Sequence, residues 1–393
     1  MMGTALVLYA LSLPLSMSAT NISLGLAAAG FAAAVTLQNK PFRPPGSLYA
    51  LLAFFLWAAV TRWIARGGPD IASLESFSKT WNVLAMVFIP AAFIAGADDV
   101  KKILRVLLAC GSAVALLGLS EYLSGARLLG LIEQERFIGF QSHPLHSGGL
   151  YCMLFLTGLS FALRSGPKRS DAFFWWGCSL ALALAVVLTR SRSYYLASVA
   201  GALFLLSFKG IKTLVAGTLI GGCLILAAAR MDMGFQNRLD TLSVRNMDES
   251  ARIRLRLWRA AGEMIKDHPL AGVGYHGWRQ NIPAYSKKDP GWSLDPAAYA
   301  HAHNSYLTFA AETGIPGLLL FLAFWTFLIL EQACFLKNSP DDGAARPLAL
   351  AVLASLGALP VAAFFEHNLL TATLSLCLFF LIGLSRAPRE ASS

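Results

Sequence analysis

Apolar runs of about 17 to 20 residues recur along the whole chain, separated by short polar turns. Each is long enough to cross the hydrocarbon core of a bilayer as a helix, which satisfies its own backbone hydrogen bonds. The pattern predicts twelve spans, at 4–20, 22–38, 48–64, 81–97, 103–121, 147–163, 172–189, 194–208, 211–229, 315–335, 347–365 and 369–384. One polar stretch, 230–302, interrupts it between spans nine and ten. The chain is thus expected to divide into residues 1–229 with nine spans, a loop region 230–314, and residues 315–393 with three spans and a short tail. The predicted fold class is an all-α integral membrane protein with about twelve transmembrane helices and one large, partly helical loop.

Composition agrees: 56% of the 393 residues are hydrophobic and 14% charged, where soluble domains average about a quarter charged. Residues 1–20 lack a basic n-region, so no cleaved signal peptide is expected. With the N-terminus inside, the inner segments carry fourteen Lys/Arg and the short outer turns seven, which predicts cytoplasmic termini and an outward-facing 230–302 loop. Charged groups and histidines sit at span ends, mostly the outer ones, among them Glu121, Arg190, Arg192, Glu366 and His367. A proton-coupled transporter needs ionisable groups near the midplane, so this distribution points instead to a site at the outer face.

Within the large loop, Glu249 to Lys266 has helical periodicity, with Asp248 or Ser250 as N-cap and Pro269 as stop. At about 100° per residue, Ile253, Leu257, Trp258, Ala260, Ala261, Met264 and Ile265 form one apolar arc. Arg252, Arg256, Arg259, Glu263 and Lys266 form the wet face, with Arg259–Glu263 support expected at i,i+4. Arg254 falls in the middle of the apolar arc. A charge there needs an anion, supplied either by a structural ion pair or by a ligand that the guanidinium clamps.

The loop closes on His301-Ala302-His303-Asn304, then a short helical run from Ser305 to Thr313, then Gly314-Ile-Pro-Gly317 and a span. An imidazole placed here takes a proton from a hydroxyl at neutral pH, or caps the helix by bonding to backbone. Glu312 lies in the same short helix, to orient a base or pair with an arginine. Two further outward segments are polar: 122–146, with Glu133, Glu135, Arg136, His143 and His146, and the tight turn Thr189-Arg-Ser-Arg-Ser193. Arg190 and Arg192 of that turn either snorkel to lipid headgroups or line a cavity.

Other chemistries have little support. The six cysteines all fall in apolar runs, spaced neither for metal nor for disulfides, and read as small packing residues. No metal site is assigned, Glu133-Gln-Glu135 being the one tight acidic pair near histidines. P-loop, nucleophile-elbow, dinucleotide and nucleic-acid signatures are missing.

His303-Asn304, nine residues, then Gly314-x-x-Gly317 resembles the signature of the O-antigen ligase family, which shares a membrane domain with O-antigen polymerases. The run Ser250-x-Arg252-x-Arg254, Trp258, Met264-Ile-Lys-Asp-His-Pro-Leu-x-Gly272-Val-Gly274 is similar to that family too, and so is Thr189-Arg-Ser-Arg192-Ser. The motifs come in the family's order and cover about 130 residues.

The resemblance implies a glycosyltransferase at the periplasmic face of a Gram-negative inner membrane. Its donor would be a glycan on undecaprenyl diphosphate, and its acceptor, for a ligase, a sugar hydroxyl of lipid A–core. Such enzymes are regarded as inverting and metal-independent, so no cofactor is expected. The catalytic residues carried over are His303, Arg254 and Arg192. Arg190, Asn304, His301, Arg252, Glu312 and His143 are the further candidates for binding the diphosphate or the acceptor. Membrane lipids are the other partners expected; neither nucleic acid nor a required protein partner is inferred. A ligase reading leads and a polymerase with the same donor follows. A protein-glycosylating oligosaccharyltransferase ranks third, since those relatives carry an extra C-terminal region and nine residues follow the last span here. A lipid-linked glycan transporter is the reading from a different class.

Overall fold

The structure is a computed structural model that describes residues 2–38, 44–67, 81–86, 89, 96–164, 169–219, 249–289, 292, 295, 299–339 and 343–387. Its first helices are α1 (Met2–Ser12), α2 (Met17–Gln38), α3 (Gly46–Arg66) and α4 (Ala97–Ser124). A two-stranded hairpin follows, β1 (Ile132–Glu133) with β2 (Arg136–Phe137), antiparallel with Ile132 opposite Phe137. Then come α5 (Pro144–Arg164), α6 (Arg169–Leu188) and α7 (Arg192–Ser207). The loop region contributes α8 (Glu249–Asp267) and α9 (Trp278–Ser286), and the chain closes with α10 (Ser305–Asn338), α11 (Ala345–Ala363) and α12 (Ala372–Arg386).

Among the described residues, six helices are long and apolar enough to cross a membrane, namely α3, α5, α6, α10, α11 and Asp98–Ser124 of α4. Shorter apolar helices run over Gly3–Ser12, Met17–Ala33 and Ala372–Arg386. The chain is therefore an all-α, multi-pass membrane protein. The count of twelve rests on the sequence, because parts of the spans expected at 81–97 and 211–229 lie outside the described residues, as do Asp248 and Cys223.

The first expected span, 4–20, is not one helix. α1 stops at Ser12 and a turn containing Pro14 precedes α2. Proline has no amide hydrogen with which to continue the ladder, and Ser16 Oγ accepts from Ala19 N to start the next helix. At about 1.5 Å per residue α1 cannot cross a bilayer alone. It is instead pinned to α12, with the Tyr9 hydroxyl donating to Leu376 O at 2.8 Å and the Tyr9 ring stacked on Phe380.

The centre of the bundle is α5 and α11, the most enclosed of the candidate spans. α5 packs on α6, α7 and α11, while α3 packs along α10. Small residues set these approaches: a Cβ on Gly158 would touch the Ser179 backbone, and one on Gly148 would overlap the Tyr194 ring. Between apolar helices in an apolar solvent, close packing supplies the attraction that water would otherwise drive.

The described residues between 249 and 302 fold back as a cap with its own core. Leu257, Ala260, Ala261 and Met264 of α8 pack with Val273, Trp278, Ile282 and Tyr285, against Ala302 and Ala311. The apolar arc read from the sequence is thus the buried face of α8, with Ile253, Trp258 and Ile265 at its margin. Ser250 lies inside the helix rather than capping it. The expected Arg259–Glu263 pair is replaced: Glu263 accepts from Lys266 at 2.6 Å, one turn on in the other register.

The cap is latched to a break in α10. Gly314 has φ 70° and ψ 179°, which splits the Ser305–Thr313 segment from the long span, as the Gly/Pro pattern predicts. Ile315 N donates to Pro269 O at 2.9 Å, Val273 N donates to Ala311 O at 2.8 Å, and Trp57 Nε1 donates to Thr313 O at 2.8 Å. Backbone groups at the break therefore find partners, as they must in a low-dielectric setting. Gly272, at φ 62°, lies so close that a Cβ would sit 2.4 Å from the Glu312 carbonyl carbon. The Pro-Leu-x-Gly-Val-Gly turn and the Gly314 break are thus two halves of one joint.

Candidate active site

Three segments remote in sequence meet at one end of the bundle: the start of α8, the residues before α10, and the turn between α11 and α12. Asn304 caps α10, its Oδ1 accepting from Leu307 N at 3.0 Å, while its Nδ2 donates to Phe364 O at 3.1 Å. The next residue, Ser305, donates from Oγ to Glu366 O at 3.0 Å and accepts from Asn368 N at 3.2 Å. Asn368 Nδ2 in turn donates to the Tyr194 hydroxyl at 2.8 Å, which brings the N-terminus of α7 to the same place. These bonds fix the 364–368 turn against the His303-Asn304 segment.

The geometry centres on Glu366. Its side chain is 5% exposed, and it lies 3.1 Å from Arg254 Nη2 through Oε1 and 3.4 Å from His303 Nδ1 through Oε2. The two partners are about 30% exposed, at 30% for Arg254 and 28% for His303, so the carboxylate is covered while both partners open outward. The ion-pair alternative for Arg254 is thus realised, with a carboxylate 112 positions away. His303 has φ 50°, a left-handed conformation that a bulky residue holds only when its surroundings enforce it. Arg190 and His276 share that feature at φ 51° and 56°.

Imidazoles crowd the site. The His301 ring lies 4.6 Å from His303 and 5.2 Å from His367, and Phe309 closes against His367 at 5.3 Å. Burial, reinforced by His367 and His303, pushes His301 down to about 2, and burial lowers His367 to about 4. Both are therefore neutral at any pH near 7. His143, just before α5, is lowered by burial and by Arg136, while Glu366 pulls it upward. Its Nδ1 accepts from Leu145 N at 3.2 Å.

The remaining candidates lie on the same or adjoining elements. Arg192 is exposed as the first residue of α7, two positions before Tyr194. Arg190 pairs with Glu135 at 2.8 Å, donates to the Tyr122 hydroxyl at 3.0 Å and lies over its ring. Arg252 is exposed on the outer face of α8. Glu312 is buried below the cap, where its Oε1 accepts from Trp278 N at the start of α9. Among the described residues, no three His, Cys, Asp or Glu side chains converge to hold a metal.

Two residues escaped the sequence reading as site members. Glu366 stood out only as a charge at a span end. Arg136 stood out only as part of a polar turn; in the structure its Nε donates to Thr189 O at 2.9 Å, and its guanidinium, lowered by burial, feels Glu366 in the opposite sense. Local spacing carries no signal for either, because their partners come from distant turns. The buried Glu121 helps to place the hairpin, accepting from Leu131 N at 2.8 Å and also from Leu129 N.

A family model described as O-antigen ligase matches residues 177–322. That stretch holds Arg190, Arg192, Arg254, His303 and the α10 break, whereas Arg136 and Glu366 lie outside it. The chain is also similar to the exopolysaccharide production protein ExoQ of Rhizobium meliloti (strain 1021), with 26% identity over 259 residues, 62% of this chain. It spans 57% of that relative's length. The stretch 177–322, with the Arg254 and His303 segments inside it, is thus similar to the O-antigen ligase family.

Proposed function

We propose that this chain is a glycosyltransferase that lengthens an exported polysaccharide. The donor is a glycan on undecaprenyl diphosphate, and the acceptor is a sugar hydroxyl of a second lipid-linked glycan. The observation that carries the chemistry is the meeting of His303, Glu366 and Arg254 at one end of the bundle. The choice of acceptor is supported by the similarity to a protein of exopolysaccharide production. A second reading, transfer to lipid A–core, is favoured by the description of the family model. A transporter for lipid-linked glycan is a weaker reading, since the candidate spans carry their ionisable groups at their ends.

The reaction is a single displacement. His303 takes the proton of the acceptor hydroxyl as that oxygen bonds to the anomeric carbon of the donor. The bond from that carbon to the phosphate oxygen breaks, and its electron pair leaves with the diphosphate, inverting the anomeric carbon. Arg254 and Arg192 meet the departing charge. Arg190, Arg252, His143, His301 and Asn304 are the further candidates for contacting diphosphate or acceptor, and Glu312, whose carboxylate accepts from Trp278 N, supports the cap. Two lipid-anchored substrates confined to one interfacial site gain much of the rate from proximity alone. The site would face the periplasm, with both termini cytoplasmic.

The test is transfer by the purified chain in detergent with chelator present. Undecaprenyl-diphosphate glycan is offered alone and with lipid A–core. Longer lipid-linked glycan without lipid A–core supports the polymerase. Product only when lipid A–core is added makes the chain a ligase. Transfer in neither mixture overturns the glycosyltransferase reading.

A further inference from the structure

Glu366 serves two groups at once. Oε1 meets the Arg254 guanidinium and Oε2 meets the Nδ1 edge of His303, and the carboxylate itself is almost wholly covered. Its backbone is tied to α10 through Ser305, and the same turn is tied to α7 through Asn368, which fixes the turn that carries it. Among the described residues, Arg136 from the hairpin, His143 at the head of α5 and Tyr194 of α7 also feel its charge.

We propose that Glu366 is the positioning carboxylate of the site, and that it couples donor binding to the readiness of His303. The inference rests on the reading in which Arg254 meets the diphosphate and His303 takes the proton. Without donor, Glu366 is shared between Arg254 and His303. A diphosphate brings more negative charge to Arg254 than one carboxylate does, and draws the guanidinium toward itself. The charge on Glu366 then falls on His303 alone. A carboxylate at Nδ1 holds the ring in the tautomer with its proton on Nδ1, so that Nε2 presents the lone pair. It also stabilises the imidazolium formed when the hydroxyl proton arrives. The base is therefore fully supported only when donor is in place, which suppresses proton abstraction in an empty site.

The coupling makes Glu366 a competitor of the donor and a helper of the reaction, so binding and turnover should separate. The experiment compares the unaltered full-length chain with E366Q, E366D and R254A, alone and combined, after checking that each elutes as a folded species. Undecaprenyl diphosphate without glycan is the binding probe, and transfer is followed with the acceptor that the unaltered chain uses. The expected result for E366Q is binding tightened about threefold or more, because Arg254 is released, with kcat lowered about 100-fold or more. E366D, which keeps the charge, recovers part of kcat. The gain in binding disappears when R254A is added to E366Q. Binding weakened in E366Q, or kcat within about threefold of the unaltered chain, overturns the proposal. If E366Q does not fold, E366D decides: its carboxylate is withdrawn by one methylene, so weaker binding together with full turnover overturns the coupling. If the unaltered chain transfers nothing, the glycosyltransferase reading fails separately, and the binding comparison of E366Q with its R254A combination still decides whether Glu366 competes for Arg254.

Discussion

Arg254 and Glu366 meet at 3.1 Å across 112 positions, one on an amphipathic helix of the cap and the other on the turn joining the last two helices. Glu366 is covered and Arg254 is part-exposed, so the pair also fastens the cap to the bundle. R254M removes one of the two partners of a buried carboxylate and should cost about 1–3 kcal/mol, less than the loss from a fully buried pair because solvent reaches the guanidinium. The double variant R254M/E366Q should lose less than the two single losses summed. Thermal midpoints in detergent measure this, and additivity within about 0.5 kcal/mol would mean that the contact contributes nothing.

His303 and Arg192 should fail in different ways. H303A is expected to lower transfer about 100-fold or more while leaving undecaprenyl diphosphate binding within a few-fold. R192A should weaken binding of the same probe. Initial rates and titrations on the two variants separate these outcomes. Equal loss of binding and transfer in H303A would make the imidazole a binder rather than a base.

The joint between cap and span should tolerate no side chain. Gly314 holds φ 70° and ψ 179°, and a Cβ there would lie 2.1 Å from Leu270 O. G314A and G272A should each cost about 2 kcal/mol or more, since both steric overlap and backbone strain act at once. The thermal midpoint reports the loss. A midpoint unchanged in both variants would show that the Pro269–Gly274 turn does not seat on the break.

Acid should loosen the site. An unfolded imidazole titrates near 6.5, whereas burial holds His367 down to about 4 and His301 down to about 2. Below about 6.5 the unfolded chain therefore binds more protons than the folded one, and stability falls with falling pH. It is present in full above about 6.5 and is lost progressively as pH approaches the His367 value of about 4. Buried Glu312, raised to about 7, takes up its proton in the folded chain over part of the same range and offsets this loss, so the test compares the unaltered chain with H367N: from about pH 7.5 to about pH 5 the change in midpoint should be less favourable in the unaltered chain than in the variant. An identical pH dependence in H367N and the unaltered chain would contradict the burial of that ring.

The elements that the sequence determined are those whose cause is local. The 3.6-residue period of α8 placed Leu257, Ala261 and Met264 on one buried face and put Arg254 among them, so the need for an anion partner was legible before any partner was known. The Gly314-Ile-Pro-Gly317 run marked the break in α10, because backbone freedom at glycine and the missing amide of proline are properties of single residues. Long apolar runs announced a multi-pass helical protein for the same reason. The tertiary structure alone decided which anion answers Arg254, that the same carboxylate reaches His303, and that the Arg136 hairpin lies beside them. Those contacts join turns at the ends of different helices, and no periodicity runs through a turn. The break of the first apolar run at Pro14 has a local cause too, the missing amide, but a window of mean hydropathy averages over a single residue. Hydrophobic pattern fixes what a segment must bury; which ionisable groups meet at the rim depends on how the helices pack, and that is set by the whole chain at once.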